Sequence, residues 1–386
     1  MTIAMIGQKG VPATSGGIER HVEELSVELA GRGHEVLVFC RSWYTRRSER
    51  EFLHRGIRCL TVPSLPSKHL DAITHTFLSI VRAAREGADV FHIHGVGPAL
   101  LAWLPKLIRP HAAVVVTFHC IDRHHQKWSA LARLMLHVGE WLSCRAPDAT
   151  IAVSKTLHAY CRLSYAADTM YIPNGARLPD TVADASDLAR FGLEPTRYFL
   201  FCARLVRHKG AHLLVEAWRL LRARRPDLTA GMKLAIAGGS AHTDGYVRDL
   251  EALCAGDGTV VLAGAQSGDA LDALFAHAFA LVHPSESEGL PIAVLEAMAH
   301  GRCVLSSDIP ENRELTEEHG RLFRRGDARD LAAQMEWLLE RPETVAAIGR
   351  EARAMVARSY DWGDIADTTG YLYEAALAEH RWREAT

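Results

Sequence analysis

The feature that most constrains this chain is a rhythm that runs twice. Apolar runs of strand length alternate with stretches of helical periodicity. The first series reads IAMIG, EVLVFC, IRCLTV, DVFHIHG, AVVVTFHC, ATIAVS and TMYIPNG. The helical pattern after IAMIG sets Ile18, Val22, Leu25 and Leu29 on one face, and others lie near 70–86 and 128–144. The first helix ends at GRGH, where Gly31 or Gly33 takes a left-handed cap. Residues 175–197 are polar, Pro-bearing and weakly patterned, and a linker is placed near their start. A second series follows: YFLFCARL, a helix over 210–224, KLAIAGG, a helix over 244–254, VVLAGA, a helix over 268–278, FALVHPS, a helix from about 291, and CVLSSD. The stretch from Trp362 to Arg383 is helical again. This alternation predicts an α/β chain of two doubly wound, Rossmann-like parallel-sheet domains, 1–175 and 176–360. Two such domains in tandem place a cleft between the carboxyl ends of two sheets, where ligands of such sheets bind.

Composition narrows the class. The 386 residues exceed one ordinary core and suit two domains; 48% are hydrophobic and 23% charged, so a sizeable core is easily built. A formal net charge of −2 and a pI near 6.9 give no global pull toward nucleic acid. No run of 18 or more apolar residues occurs, so no spanning helix is expected. The opening MTIAMIG reads as a strand without a basic n-region or cleavage site, so no signal peptide is expected and the cytoplasm is the expected compartment. The eight cysteines show no C-x-x-C spacing and most sit in apolar runs. They read as buried small hydrophobes in a reducing compartment, with metal or disulfide roles as the alternatives.

Four post-strand loops carry candidate chemistry. Gly7-Gln8-Lys9-Gly10 completes neither G-x-G-x-x-G nor a Walker A loop. Ser15-Gly16-Gly17 stands immediately before the first helix, and reads either as an anion-binding helix start or as a plain cap with flexible glycines. In CARLVRHKG, Arg204 and Lys209 follow a strand and precede a helix. Two cations in such a loop clamp a diphosphate, Arg as a planar fork and Lys as a point charge; two surface basics are the alternative. IAGGS opens onto Gly238 and Gly239, either as backbone lining the cleft or as a tight turn. HPSESEGLPIAVLEAMAHG is sharper: Glu288 lies in a Gly/Pro loop and Glu296 eight positions on, inside a helix that begins near Pro291. The amides of Gly289, Leu290 and Ile292 then face an anion, and two carboxylates stand ready for sugar hydroxyls.

Together these residues resemble the retaining glycosyltransferases of the GT-B fold, in particular glycosyltransferase family 4. The resemblance covers nearly the whole chain. It rests on Gly16-Gly17, on TFH at the end of a first-domain strand, on Arg204 and Lys209, and most specifically on EGLPIAVLE. It implies that the second domain holds a nucleotide-sugar donor and the first an acceptor, and that the helix of 361–386 returns to the first domain. Arg204 and Lys209 would neutralise the donor diphosphate, Glu296 would hold the ribose hydroxyls, and Glu288 with Gly289, Leu290 and Pro291 would meet the transferred sugar. Gly16 and Gly17 would close over the phosphates, and His119 would contact the sugar near the reacting carbon rather than bind a metal. Backbone near Gly239 and from Gly264 to Gln266 would receive the base, be it uracil, guanine or adenine.

No Asp-x-Asp occurs in the chain, so neither a metal nor any other cofactor is expected; Arg204, Lys209 and two helix N-termini would stabilise the leaving diphosphate. His92 and His94 alternate along FHIHG and point one way, with no third ligand nearby, so no metal is assigned to them. His124 and His125 read as loop residues near the acceptor. The basic, aromatic stretch 41–55 reads as a loop after the second strand, either solvated or in contact with an anionic membrane carrying a lipid-linked acceptor. The stretch 123–142 sets Trp128, Leu131, Leu134, Met135, Val138 and Trp141 at helical spacing. It is either an amphipathic helix packed on the sheet or a contact with an anionic membrane carrying a lipid-linked acceptor. A non-catalytic sugar-nucleotide binder would keep Arg204, Lys209 and Glu296 and dispense with His119 and Glu288. An epimerase of the same architecture would act on the donor without an acceptor.

Overall fold

The computed structural model describes residues 1–386 except 15, 46, 48, 66, 68, 69, 122, 124–129, 242 and 386, and only the backbone of 381–385. Ser15, His124, His125 and Trp128 therefore lie outside the described residues. The chain opens with β1 (Thr2–Ile6), α1 (Gly17–Gly31), β2 (Glu35–Arg41), α2 (Ser42–Thr45), β3 (Glu51–His54) and β4 (Ile57–Val62). It continues with α3 (Leu70–Arg85), β5 (Val90–His94), α4 (Leu104–Ile108), β6 (Ala113–Phe118), α5 (Ala130–Arg145), β7 (Ala149–Ala152), α6 (Lys155–Tyr165) and β8 (Met170–Tyr171). Next come β9 (Tyr198–Cys202), α7 (Ala211–Arg224), α8 (Pro226–Thr229), β10 (Lys233–Ala237), α9 (Asp244–Cys254), β11 (Val260–Gly264) and α10 (Asp269–His277). The last elements are β12 (Ala280–His283), α11 (Ile292–Ala299), β13 (Cys303–Ser307), α12 (Pro310–Thr316), β14 (Arg321–Phe323), α13 (Ala328–Leu339), α14 (Pro342–Ser359) and α15 (Trp362–Ala385).

These elements form two compact units, Met1–Asn174 with Trp362–Thr386, and Gly175–Asp361. Unit 1 holds an eight-stranded sheet in the order β3-β4-β2-β1-β5-β6-β7-β8, parallel except for the antiparallel pair β3–β4. Unit 2 holds a six-stranded parallel sheet in the order β11-β10-β9-β12-β13-β14. Strand order reverses at β1/β5 in unit 1 and at β9/β12 in unit 2. At such a switch point the loops leave in opposite directions and open a crevice at the carboxyl ends.

The parallel strands are apolar on both faces because helices cover both. In unit 1 one face packs Ile3, Met5, Val36 and Val38 against α1 and α15, with Trp362, Ile365 and Tyr373 buried. The other packs Ala4, Leu37, Phe39 and Phe91 beneath α3 and the turn at 98–101. Unit 2 centres on Trp218, Phe199, Phe201 and Leu234.

Two details differ from the sequence reading. The stretch 41–55 is more than a loop: β3 pairs with β4 as a hairpin, His54 opposite Ile57. Arg55 and Gly56 turn it with φ of 48° and 84°, the two left-handed residues of a tight hairpin turn, and Arg-Gly is not the usual sequence for it. Pro291 caps α11 from outside the helix, with φ −74° and ψ 110°, rather than opening it. At the end of α1, Gly33 takes the left-handed conformation (φ 85°), and Gly31 stays helical.

Candidate functional site

In unit 2 the loops after β9 and β12 lie against each other at the switch point. Glu286 N–H donates to His208 O at 2.8 Å. Gly210 makes this approach possible: its φ is +76°, and a Cβ there would stand 2.3 Å from Pro284 O. The turn Arg207–Lys209 directly before it delivers Lys209 to Glu288, where the ammonium pairs with Oε1. The same oxygen meets His283 Nε2 at 2.7 Å. Burial works against ionisation of Glu288, but Lys209 and His283 outweigh it and hold the carboxyl well below the usual range. Glu288 is thus a buried, fixed anion whose second oxygen is not taken by either partner.

Arg204 is half-buried just past β9, and its guanidinium makes no hydrogen bond or ion pair among the described residues. Its loop is held by Leu205 N–H donating to Gly239 O at 2.9 Å. Gly238 is needed beside it, since a Cβ there would meet Ala203 O at 2.0 Å. Gly289, Leu290 and Pro291 are buried and lead into α11, whose first amides have no intrahelical acceptor. Glu296 sits half-buried in α11 close to the end of β9: the Cys202 thiol is pushed up by burial and, less, by the Glu296 charge. Gln266 is engaged at both ends of its amide, accepting from Arg190 at 2.8 Å and donating to Ala263 O. So Arg204, Lys209, Gly239, Glu288, Gly289, Leu290, Pro291 and Glu296 gather around the ends of β9, β10 and β12, and Gln266 stands at the end of β11.

Unit 1 brings Gly16, Gly17 and His119 to the ends of β1 and β6. Gly16 caps α1 with φ +99°, and a Cβ would lie 2.2 Å from Glu19 Oε2. Part of the glycine loop is already bonded to carboxylates of α1. Lys9 N–H donates to Glu19 Oε1 at 3.1 Å and Ala13 N–H to Glu23 Oε2 at 2.8 Å.

His119 lies in a cluster the sequence reading did not foresee. β1, β5 and β6 are neighbours, so their carboxyl ends converge, and α1 lays His21 across them. His94 Nδ1 and His119 Nε2 share a hydrogen bond of 3.1 Å. His21 packs edge-on to His119 with ring centroids 4.8 Å apart. The expectation that no third imidazole stands near His94 is therefore corrected: one ligand atom each from His21, His94 and His119 lies within 4.8 Å of the others. Burial lowers the pKa of His119 and of His94 well below the ordinary imidazole value and that of His21 to about 4. The cluster is thus neutral. His21 Nδ1 donates to Asn174 Oδ1 at 2.9 Å, which leaves Nε2 as a buried acceptor without a partner. His92 is a satisfied core histidine, bonded to Tyr373 Oη and Thr117 Oγ1, each at 2.6 Å.

Three supporting residues escaped the sequence reading. His283 opens the quoted HPSESEG motif, but its partner is visible only once the loop folds back. Ser307 and Asn312 brace that loop: Ser307 Oγ donates to Ser285 O, and Asn312 Nδ2 donates to Ser307 O at 3.1 Å. Nothing in the local sequence marks Asn312. Five of the eight cysteines are buried and none forms a disulfide. Among the described residues no helix is long and apolar enough to cross a membrane.

The family model described as Glycosyltransferase Family 4 matches residues 15–178, and that described as Glycosyl transferases group 1 matches residues 187–355. The chain is 28% identical over 394 residues to the D-inositol 3-phosphate glycosyltransferase of Pseudarthrobacter chlorophenolicus, across 95% of this chain and 92% of that one. Sucrose-phosphate synthase from Thermosynechococcus elongatus superposes with a TM-score of 0.81 at 23% identity, over 98% of this chain and 99% of that one. Anabaena HepE, solved in complex with UDP-glucose, gives 0.78 at 19% identity, over 97% and 100%. At these identities the two structures speak to the fold.

Proposed function

The chain belongs to glycosyltransferase family 4 and has the GT-B type of fold, and from that premise we propose that it transfers a sugar from a UDP- or GDP-linked donor to a hydroxyl of a glycan or lipid-linked acceptor, with retention of configuration. The setting is biosynthesis of cell-surface polysaccharide or glycoconjugate. Residues 1–175 serve the acceptor, 176–360 hold the donor, and 361–386 belong with the acceptor side. The observation that carries this reading is the buried Glu288 carboxylate, fixed between Lys209 and His283 at the β9/β12 switch point with Arg204 on the adjoining loop.

Transfer requires that charge growing on the leaving diphosphate be met as it forms. Arg204, Lys209 and the first amides of α11 supply fixed positive charge and dipoles for that, and no metal is invoked. When a diphosphate arrives, Lys209 gains a second anion, and Glu288 keeps His283 as its partner. The free oxygen of Glu288 then accepts from a hydroxyl of the transferred sugar, and Glu296 accepts from the ribose hydroxyls. Unit 1 contributes His119, whose neutral imidazole donates to or accepts from the sugar without adding charge to an oxocarbenium-like carbon. The leaving phosphate takes the proton of the attacking hydroxyl.

A thermal-shift panel of UDP, GDP, ADP and their common sugar conjugates, with and without EDTA, tests this. A ligand that binds only the folded state raises the midpoint by mass action. A shift confined to one nucleotide family and unchanged by EDTA is the expected result. No shift with any of them, in protein shown to be folded, removes the donor site.

A further inference from the structure

The imidazoles at the carboxyl end of the unit 1 sheet carry more than sugar transfer asks of them. His94 closes β5 opposite Thr117 of β6, in parallel register, so His119 follows two residues later on the same face. α1 supplies His21 from above. It stands three residues after Ile18 and one before Val22, on the stripe that faces the sheet, and is 2% exposed. No charged residue in the described part of the chain belongs to the group that these three rings form.

Their hydrogen bonds leave nitrogen lone pairs in one place. Asn174 Oδ1 takes the Nδ1–H of His21 at 2.9 Å, so Nε2 is the atom His21 has to offer, and it is buried with no donor. His94 Nδ1 and His119 Nε2 stand 3.1 Å apart. Two lone pairs cannot face each other there, so one ring must place an N–H between them or a cation must. With a cation, His94 carries its proton on Nε2, which faces Met5 Sδ at 3.5 Å. His92 stacks on His94 with ring centroids 4.0 Å apart, but both of its nitrogens are engaged and it offers none.

The spacing suits a small tetrahedral ion. Zinc about 2.0–2.1 Å from each imidazole nitrogen sets those nitrogens about 3.4 Å apart. The His94–His119 pair has nearly that separation. One nitrogen from each ring lies within 4.8 Å of the others, so His21 closes a gap of about 1.4 Å or less by a turn of its ring. Asn174 fills the supporting place, since a metal-bound imidazole normally donates its other N–H to an oxygen that fixes the ring. Three imidazoles without carboxylate select zinc and its imidazole-binding neighbours over magnesium, calcium or manganese.

We propose that His21, His94 and His119 form a zinc site in unit 1, with His21 Nε2, His94 Nδ1 and His119 Nε2 as ligands, Asn174 as the orienting partner and a water in the fourth position. The ion pins α1 to the ends of β5 and β6. No step of sugar transfer runs through it, and the site does not rest on the transferase reading.

The test strips the full chain with EDTA, removes the chelator and titrates first with cobalt(II), a coloured stand-in for zinc, and then with zinc. Visible d–d absorption should saturate at about one cobalt per chain and vanish as zinc displaces it. Zinc should raise the melting midpoint, and magnesium at the same concentration should not. By equilibrium dialysis, His21→Gln and His94→Gln should each weaken zinc binding about a hundredfold or more, and Asn174→Ala, which keeps all three ligands, about tenfold or more. The Asn174 variant decides if a ligand variant fails to fold. Folded wild-type chain that takes up neither metal at about 0.1 mM overturns the proposal. So does zinc uptake that the folded variants leave unchanged, which places the ion elsewhere. A nucleotide should add the same increment to the midpoint with and without zinc, so failure of this site and failure of the donor site show separately.

Discussion

One carboxylate oxygen with two cationic or N–H partners is a costly arrangement unless each partner has work to do. Glu288 Oε1 holds Lys209 and His283 together, and both are buried or nearly so. Its removal leaves Lys209 free to follow a diphosphate, so Glu288→Ala should leave nucleotide-induced thermal shifts nearly unchanged. Release of nucleoside diphosphate from the donor should fall about a hundredfold or more. Lys209→Ala should lower both, because it removes positive charge from the diphosphate as well as the partner of Glu288. Wild-type-like turnover in Glu288→Ala would show that the carboxylate does not touch the reacting sugar. Gly210 makes a different residue-scale case. With φ at +76° and Pro284 O in the way, Gly210→Ala should cost about 2–4 kcal/mol in urea unfolding and separate the β9 loop from the β12 loop. The glutamates and the lysine were readable in sequence because residues at strand ends next to glycines and prolines have few structural reasons to be there. His283, Asn312 and His21 were not, since each acts through a partner brought near only by the fold.

At the scale of elements, periodicity located the strands and helices because burial on both faces of a parallel sheet leaves continuous apolar runs. It missed β3, whose four residues, with Phe52 half-buried and Leu53 exposed, are too few to set a strand pattern. For α5 it established that one face is apolar but not which way that face points, because residue spacing fixes positions around the helix axis and not the turn of that axis toward the sheet. The decisive residue is Glu140, which no spacing singles out and which is fully buried. Tyr160 Oη and Tyr165 Oη donate to its Oε2 at 2.8 and 2.5 Å, and Arg123 pairs with it at 3.3 Å. These contacts turn the polar stripe inward and the Leu131–Trp141 stripe outward. Glu140→Ala should therefore cost about 3 kcal/mol by stranding a half-buried cation and two hydroxyls, and Glu140→Gln, which keeps one carbonyl acceptor, distinctly less. Chemical denaturation of the two variants compares them directly. Equal stability would mean that packing on Gly139, not the buried carboxylate, sets the orientation.

At the scale of the whole molecule, the two units should respond differently to acid. Unit 1 buries His21, His75, His92, His94 and His119, and burial holds every one of them neutral in the fold. In the unfolded chain each takes a proton near its ordinary value of about 6.5. The unfolded state therefore binds more protons as pH falls below that value, and stability falls with it until the folded values are reached, about 4 for His21 and His75. Each of these two should cost unit 1 about 1 kcal/mol between pH 6.5 and 5.5, and the other three add to it in the same direction. Unit 2 has His300, lowered to about 4 by burial, and a smaller lowering at His212. Its fixed carboxylate Glu288 works in another window: its stabilisation is present above the ordinary carboxyl value and is lost only as pH falls below it toward the folded value. Between pH 7.5 and 5.5 the loss should thus fall mainly on unit 1. Amide exchange corrected for intrinsic rate, followed at both pH values, should show protection in β1, β5 and β6 dropping by more than that in β9, β10 and β12. A parallel drop in both sheets would mean that the acid loss is shared by the two units and that the buried histidines of unit 1 do not set it.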